Sequence, residues 1–324
     1  MRILIIQTAF IGDVILATPV IEKLNEFYPN SEIDFLLRKG NEELLENNPY
    51  VSSILIWNKR KNKLINLLKI IRHIRGKKYD YIINLQRFFS TGFLTIFSKG
   101  KIKIGFDKNP FSFLFSKKIK HIIKKGIHEI HRNICLIEEL TDNTIINPKI
   151  YPSDDDFESV AKYKLQPYIC IAPISVWFTK QFPSDKWIEL INNLDNELKV
   201  YLIGGKDDIS ACEKIIKDCE NVNIVSLCGK LNFLQSAALM KNSKMNYTND
   251  SAPLHIASAI DARTTVIFCS TIPEFGFGPL SNKARIVQTK EILECRPCGL
   301  HGLNKCPENH FKCGITINPE QLLF

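Results

Sequence analysis

Short apolar runs recur along the chain, spaced so that one helix fits between each pair, and this alternation restricts the fold more than any other feature. In the first half the runs are Arg2–Gln7, Ile33–Leu37, Ser53–Ile56, Tyr79–Leu85 and Lys101–Gly105, with helical patterns between them, notably Leu64–Ile74 and Thr91–Phe97. Thr18-Pro19 interrupts the first helical pattern, so a helix either starts there with Thr18 as cap or is kinked there. The second half repeats the alternation. Strands at Tyr168–Ala172, Lys199–Ile203, Val222–Val225, Met245–Thr248 and Thr264–Phe268 alternate with helical patterns at Ser184–Asn196, Asp208–Lys217, Leu231–Lys241 and Pro253–Ile260. Such alternation predicts an α/β fold of mostly parallel sheets with right-handed crossovers.

Between the two series the pattern loosens. Thr141–Ser153 contains Asp, Asn and two prolines and leads into Asp154-Asp155-Asp156. The boundary expected here gives domains of residues 1–150 and 151–324, which suits a chain of 324 residues when one domain takes ~150. Two such domains, each presenting strand ends, predict a central cleft between them that holds a ligand. Hydrophobic and charged contents of 45% and 24% are those of a globular protein, and no apolar run approaches the ~20 residues of a membrane span. Ile3–Ile6 is too short for a signal-peptide core and no small-residue cleavage pattern follows, so the chain is expected to start folded and stay in the cytoplasm.

Charge divides the halves. Residues 1–150 carry 25 Lys+Arg against 14 Asp+Glu, residues 151–324 carry 18 against 20, and the whole chain is +9. The first half should therefore meet something anionic. Its densest segment runs from Lys59 to Lys78 with Lys59, Arg60, Lys61, Lys63, Lys69, Arg72, Arg75, Lys77, Lys78 and no acid. With Leu64, Leu67, Leu68 and Ile71 interleaved, part of it reads as a basic amphipathic helix suited to a membrane surface or a phosphorylated ligand, or as a solvated helix face.

Several residues could carry chemistry. No Gly-x-Gly-x-x-Gly, Walker A, His-Glu-x-x-His or Gly-x-Ser-x-Gly sequence is present, which leaves dehydrogenase, P-loop, zinc-peptidase and α/β-hydrolase readings without support. Gly12 permits a tight turn after the first strand, and Asp13 beside it could accept a proton from a bound hydroxyl or cap its own helix. Lys180 lies within reach of a phosphate after strand Tyr168–Ala172. Gly204-Gly205 lets backbone approach a ligand or simply makes a turn. Asn249 to Ala252 are small and polar, and Pro253 suits the first turn of a helix. Asp250 or Ser251 can cap that helix, whose free N–H groups and dipole favour a phosphate. His255 could donate to the same phosphate or pack.

In combination these segments resemble glycosyltransferase family 9, the ADP-heptose:lipopolysaccharide heptosyltransferases. Ile11-Gly12-Asp13-Val14-Ile15 with Pro19 is similar to the family's opening motif. Thr179-Lys180-Gln181-Phe182-Pro183 with Trp187 resembles its Thr-Lys-x-Trp-Pro segment. Asn249-Asp250-Ser251-Ala252-Pro253-Leu254-His255-Ile256-Ala257 resembles its Asp-Ser/Thr-Gly-Pro-x-His-x-Ala signature, and Gly278-Pro279 matches a later Gly-Pro pair. The resemblance implies a GT-B fold of two Rossmann-like domains, with an N-terminal acceptor domain, a C-terminal nucleotide-sugar domain and no catalytic metal. It implies Asp13 as general base toward an acceptor hydroxyl; Gly12 from the turn, and Lys69, Arg72 and Arg75 from the basic charge pattern, are expected on the acceptor side. It implies that Lys180 with Ser175 would stabilise the departing diphosphate and that Asp250, Ser251, Ala252 and His255 would hold the donor, while Thr179 beside Lys180 and the Gly204-Gly205 turn are expected at the same donor site. Displacement would be direct and inverting, without a protonating acid, unlike glycoside hydrolysis. Ala252 in place of Gly, Ile174 after Pro173 and Phe182 in place of Trp depart from the pattern and bear on donor preference.

Ten cysteines in a chain without a signal peptide argue against a disulfide scaffold. Cys295, Cys298, Cys306 and Cys313 crowd into one C-terminal segment, where four thiolates could hold a structural zinc, with His301 and His310 as alternative ligands, or remain free. The reading reached is a cytoplasmic transferase at the inner-membrane face, taking an ADP-sugar donor to an anionic, lipid-linked saccharide of the Kdo–lipid A type. A GT-B enzyme with another nucleotide sugar and a basic, zinc-containing nucleic-acid module are the alternatives. The basic charge and the cysteines lie in opposite halves, so no nucleic acid is expected.

Overall fold

The computed structural model describes residues 1–59 and 61–323; Arg60, counted above in the basic segment, and Phe324 lie outside the described residues. Met1–Tyr151 and Pro152–Phe324 form two compact units. In the first, strands β1 (Arg2–Ile6), β2 (Glu32–Arg38), β3 (Val51–Trp57), β4 (Tyr81–Asn84), β5 (Ile102–Phe106) and β6 (Lys117–Ile119) make one parallel sheet in the order β3-β2-β1-β4-β5-β6. Central β1 sits in register with both neighbours, Ile5 opposite Phe35 and Ile83. Ile3–Ile6 are fully buried because helices cover both faces, which is why these strands read as continuous apolar runs rather than alternating ones. The helices are α1 (Ile11–Ile15), α2 (Thr18–Phe27), α3 (Lys63–Lys77), α4 (Phe89–Phe97) and α5 (Glu129–Cys135). Leu67, Ile71 and Ile74 of α3 and Leu94 of α4 pack with Leu4, Ile6, Leu36 and Trp57.

The first helical pattern breaks between Ile15 and Thr18, and Pro19 falls in the first turn of α2. Ala17, not Thr18, takes the cap position. The Thr18 hydroxyl is occupied elsewhere, donating to Ile15 O (2.8 Å) and accepting from Lys149 N (2.9 Å). Buried Asn133 of α5 closes the break by donating to Leu16 O at 3.0 Å. The polar run after Thr141 is no free linker. Asp142 and Thr144 hold the buried Lys23 ammonium, and the Tyr151 hydroxyl donates to Glu22 at 2.7 Å, so this stretch is strapped along α2.

The second unit repeats the plan with β7 (Tyr168–Ala172), β8 (Lys199–Leu202), β9 (Ile224–Ser226), β10 (Asn246–Asn249), β11 (Thr264–Phe268) and β12 (Ala284–Gln288), all parallel, in the order β12-β11-β10-β7-β8-β9. Helices α6 (Asp154–Ser159), α7 (Ser184–Asn192), α8 (Ile209–Asp218), α9 (Phe233–Asn242), α10 (Ala252–Ala259) and α11 (Lys312–Ile315) accompany them. The three aspartates form the first turn of α6, where they face the positive helix end, and the Ser153 hydroxyl caps it by accepting from Asp156 N. Among the described residues no helix is long and apolar enough to cross a membrane.

Counted within each unit, both sheets have the same strand order, 3-2-1-4-5-6, so the chain reverses its direction of progress between β1 and β4, and again between β7 and β10. Ligands of open α/β sheets bind beyond the strand carboxyl ends at such a reversal. Asn133→Ala would leave Leu16 O unsatisfied in the core; we expect a loss of ~1–3 kcal/mol, read as a lower urea midpoint with an unchanged m-value.

Candidate active site

In the second unit, three predicted segments follow neighbouring strands β10, β7 and β8 and so meet at one edge of the sheet. The Lys180 ammonium lies 2.7 Å from Asp250 Oδ2, with both side chains largely buried. Thr271 Oγ1 donates to the same carboxylate oxygen at 2.6 Å. Asn249, fully buried, ties the loops beneath this pair: its Oδ1 accepts from Phe182 N at 2.9 Å and its Nδ2 donates to Pro173 O at 2.8 Å. Lys180 therefore projects from a short 3₁₀ turn, Phe178–Lys180, that is fixed at both ends.

Neither expected cap is made at α10. Ser251 holds the cap position without a side-chain bond to the helix; its hydroxyl instead points back to Asn249 O, while Asp250 is engaged by Lys180 and Thr271. The helix thus begins without a cap bond from Ser251, beside an ammonium, which is the arrangement that receives an anion. His255 is buried in this turn, and Ala252 is half-buried at its first position.

Other predicted residues make contacts within the second unit. Thr179 is buried, its N–H donates to Leu303 O (3.0 Å), and its hydroxyl accepts from Leu303 N (2.8 Å) and Ser270 Oγ (2.9 Å). It anchors the Lys180 turn to the cysteine-rich segment. Ser175 is buried, and its carbonyl accepts from Gln181 Nε2 at 2.7 Å. Phe182 and Trp187 meet edge to face at 5.1 Å inside the core, so the Phe-for-Trp departure is a packing change. Gly204 makes room for Asp208, whose carboxylate would lie 2.7 Å from an added Cβ and accepts from Gly205 N at 2.8 Å.

Cys306 and Cys313 belong to the apolar core, while Cys295 and Cys298 are half-buried. Burial first, then the neighbouring Cys298, Cys306 and Cys295, push the Cys313 thiol up to about 12. The four thiols share one neighbourhood and all are free, but among the described residues no three ligating side chains converge on a point that could hold a metal. As arranged, the segment does not fit a bound zinc.

In the first unit, Asp13 follows β1 and is half-buried in α1. Its Oδ2 accepts from Phe10 N at 3.0 Å, so the local capping role is also filled. Burial, and next the nearby Glu129, raise its carboxyl to about 6 against the opposing pull of the Phe10 and Asp13 amides and of Arg38. Sequence reasoning missed two cations here as individuals. Arg38, at the end of β2, stacks on the Phe10 ring at 4.7 Å. Lys59, just past β3, donates to Thr8 O (2.9 Å) and Thr8 Oγ1 (2.8 Å). Burial, then Arg38 and Lys63, lower its ammonium to about 8. The only signal was Lys59's place two residues beyond a strand.

Lys69, Arg72 and Arg75 are not brought to Asp13. They lie on the exposed outer side of α3, and a crossover helix runs opposite to its strands. Arg75 consequently ends at the far edge, bonded to Phe97 O at 3.1 Å, near Lys77, whose carbonyl accepts from Arg2 at the start of β1.

With this geometry in hand, the profile described as glycosyltransferase family 9 (heptosyltransferase) matches residues 67–302. The chain belongs to glycosyltransferase family 9. Lipopolysaccharide heptosyltransferase 3 of Escherichia coli is 27% identical over 281 residues, 81% of this chain and 82% of that protein. The family 9 glycosyl transferase of Veillonella parvula superposes with a TM-score of 0.84 at 23% identity, covering 99% of this chain and 94% of its own. ADP-heptose lipopolysaccharide heptosyltransferase II of E. coli gives 0.83 at 20% identity, covering 100% and 96%. The fold is thus of the GT-B type, and the nucleic-acid alternative is not favoured. A thioredoxin profile also matches residues 1–54, but that stretch holds no cysteine, so the likeness is one of strand–helix–strand form. Thr179→Ala removes the oxygen that joins the Lys180 turn to Leu303 and Ser270; a loss of ~1–3 kcal/mol is expected by denaturant unfolding, with Thr179→Ser close to wild type.

Proposed function

We propose that this family 9 glycosyltransferase moves heptose from ADP-heptose onto the inner core of lipopolysaccharide or lipooligosaccharide, a Kdo–lipid A type acceptor. The observation that carries the proposal is the Lys180–Asp250 pair, 2.7 Å apart beside the uncapped start of α10 at the β7/β10 reversal. The first unit is assigned the acceptor and the second the nucleotide sugar.

In this scheme Asp13 takes the proton of the acceptor hydroxyl as its oxygen bonds to the anomeric carbon. The bond from that carbon to the diphosphate breaks, the diphosphate leaves with the electron pair, and configuration inverts. Lys180 and the first amides of α10 meet the charge that develops on the leaving group, so no acid need protonate it. Asp250 acts through Lys180: a carboxylate only accepts hydrogen bonds and cannot itself hold a phosphate oxygen. Arg38 and Lys59, rather than Lys69, Arg72 and Arg75, are the cations proposed to receive anionic groups of the acceptor near Asp13. The enzyme is assigned to the cytoplasm, peripheral at the inner-membrane face.

Asp13→Asn is expected to lower transfer by ~10²–10⁴-fold while ADP still raises the melting temperature. Full activity in that variant would remove Asp13 from the role of base. Because its carboxyl sits at about 6, protonation below that pH disables the base. The logarithm of kcat/KM should fall with unit slope below about pH 6 and flatten above it, and the fall should be absent from the residual activity of Asp13→Asn. ADP, rather than UDP or GDP, should give the largest thermal shift, and Lys180→Ala should diminish it.

Transfer is proposed to need no metal. A structural zinc at Cys295, Cys298, Cys306 and Cys313 would require these thiols to close in from the arrangement described. Elemental analysis of the purified chain tests it: about one zinc per chain, lost in Cys306→Ser, supports the site, and none shows four free thiols.

A further inference from the structure

The basic surplus of the first unit lies in one stretch. Residues 59–128 hold 19 Lys+Arg against 2 Asp+Glu, whereas the rest of residues 1–150 holds 6 against 12. Among the described cations of this stretch, Lys77, Lys101 and Lys117 have ion pairs, with Asp34, Asp80 and Glu139. Lys59, Arg75 and Lys103 bond to the carbonyls of Thr8, Phe97 and Ile96, while Lys63, Lys69, Lys108 and Lys118 are exposed.

The same stretch also exposes large apolar side chains. Leu64 and Leu68 on the first two turns of α3 are 72% and 61% exposed, and Phe113 is 72% exposed. Phe89 stands beside Phe111, with ring centroids 4.8 Å apart, and Phe93 beside Phe97 at 4.4 Å, so the outer side of α4 carries a row of rings. Phe93 also packs on the cluster that seats α3, which makes the two helix surfaces continuous. Exposed Leu64, Phe88, Phe113 and Ile122 follow the carboxyl ends of β3, β4, β5 and β6 in turn. Asp13 follows β1 at the same edge of the same sheet. An apolar rim of this extent needs a cover, and cations around it specify an anionic one.

We propose that this rim, the start of α3 with the front of α4 and the Phe113-Leu114 turn, is a docking face for an anionic lipid bilayer. The leucines and phenylalanines enter the headgroup region, and Lys63, Lys69, Lys108 and Lys118 meet lipid phosphates. It rests on the lipid-linked acceptor reading for its purpose, because a saccharide presented at Asp13 would have its lipid on the rim side.

The test uses the full chain with vesicles of phosphatidylcholine alone or mixed with phosphatidylglycerol. Cosedimentation with the mixed vesicles, weakened by added salt, is expected. Leu64→Ser/Leu68→Ser/Phe113→Ser should bind roughly tenfold more weakly or less well still, with the wild-type melting temperature and ADP shift. No wild-type binding to the mixed vesicles, or undiminished binding by the triple variant, overturns the proposal. So does a dimer in sedimentation velocity that the triple variant abolishes without vesicle binding in the wild type; that result would make the rim a contact between copies. Vesicle binding without sugar transfer would overturn the transferase reading alone.

Discussion

A parallel strand cannot turn straight back onto its neighbour, so each crossover carries the chain to the opposite edge and every strand of a sheet ends on the same side. From that constraint come the positions of all the chemical groups discussed. β1 ends at Asp13, β7 at the Lys180 loop and β10 at Asp250, and in each sheet the reversal of strand order parts the loops that would otherwise cover the crevice. The same constraint carries Arg75 at the end of α3 away from Asp13, because a crossover helix travels away from the edge where the strand before it ended.

Strand ends place a loop but do not fix a side chain within it, and here the C-terminal segment completes the task. Arg296 donates to the carbonyls of Phe268, Cys269 and Thr271, which shapes the exit of β11. Thr271 in turn bonds to Asp250, and Asp250 to Lys180. From the other side, Leu303 holds Thr179, and Gly302 runs so close that an added Cβ would sit 2.9 Å from Lys180 Cγ. Gly302 has φ +74, a backbone setting that disfavours side chains in any case. Lys180 is therefore located by residues more than a hundred positions away, and the cysteine-rich segment matters to the site as scaffolding whether or not it binds a metal.

This explains what the sequence disclosed and what it withheld. Long apolar runs such as Ile3–Ile6 and Thr264–Phe268 were legible because burial on both faces leaves little choice of residue. β6 and β12 were missed; each is an edge strand, and β12 carries a surface-facing mixture whose pattern resembles a loop. Lys180, Asp250 and Asp13 were singled out from turns after strands and from the family resemblance. Thr179 was expected at the donor site, and its bond to Leu303 is a contact between segments that no local pattern encodes. Thr18 carried the chemistry of a cap, yet the tertiary partner Lys149 claimed its oxygen. Lys59 was hidden among its cationic neighbours, since charge density does not say which lysine folds inward.

Asp13 shows how such positioning tunes a group as well as placing it. A solvated aspartate titrates near 4, too acidic to draw a proton well from a sugar hydroxyl at neutral pH. Burial in α1 supplies the largest part of the rise to about 6, and Glu129 adds to it. Glu129 does not act as an isolated charge, because Arg132 holds it at 2.6 Å in the same buried turn of α5. The two amide donors and Arg38 restrain the carboxyl from rising further. At that setting it is largely ionised at neutral pH and more basic than a surface aspartate, the compromise that general-base catalysis favours. Deeper burial, or Glu129 without Arg132, would push the carboxyl toward its protonated form, which in the proposed role could not accept the acceptor's proton.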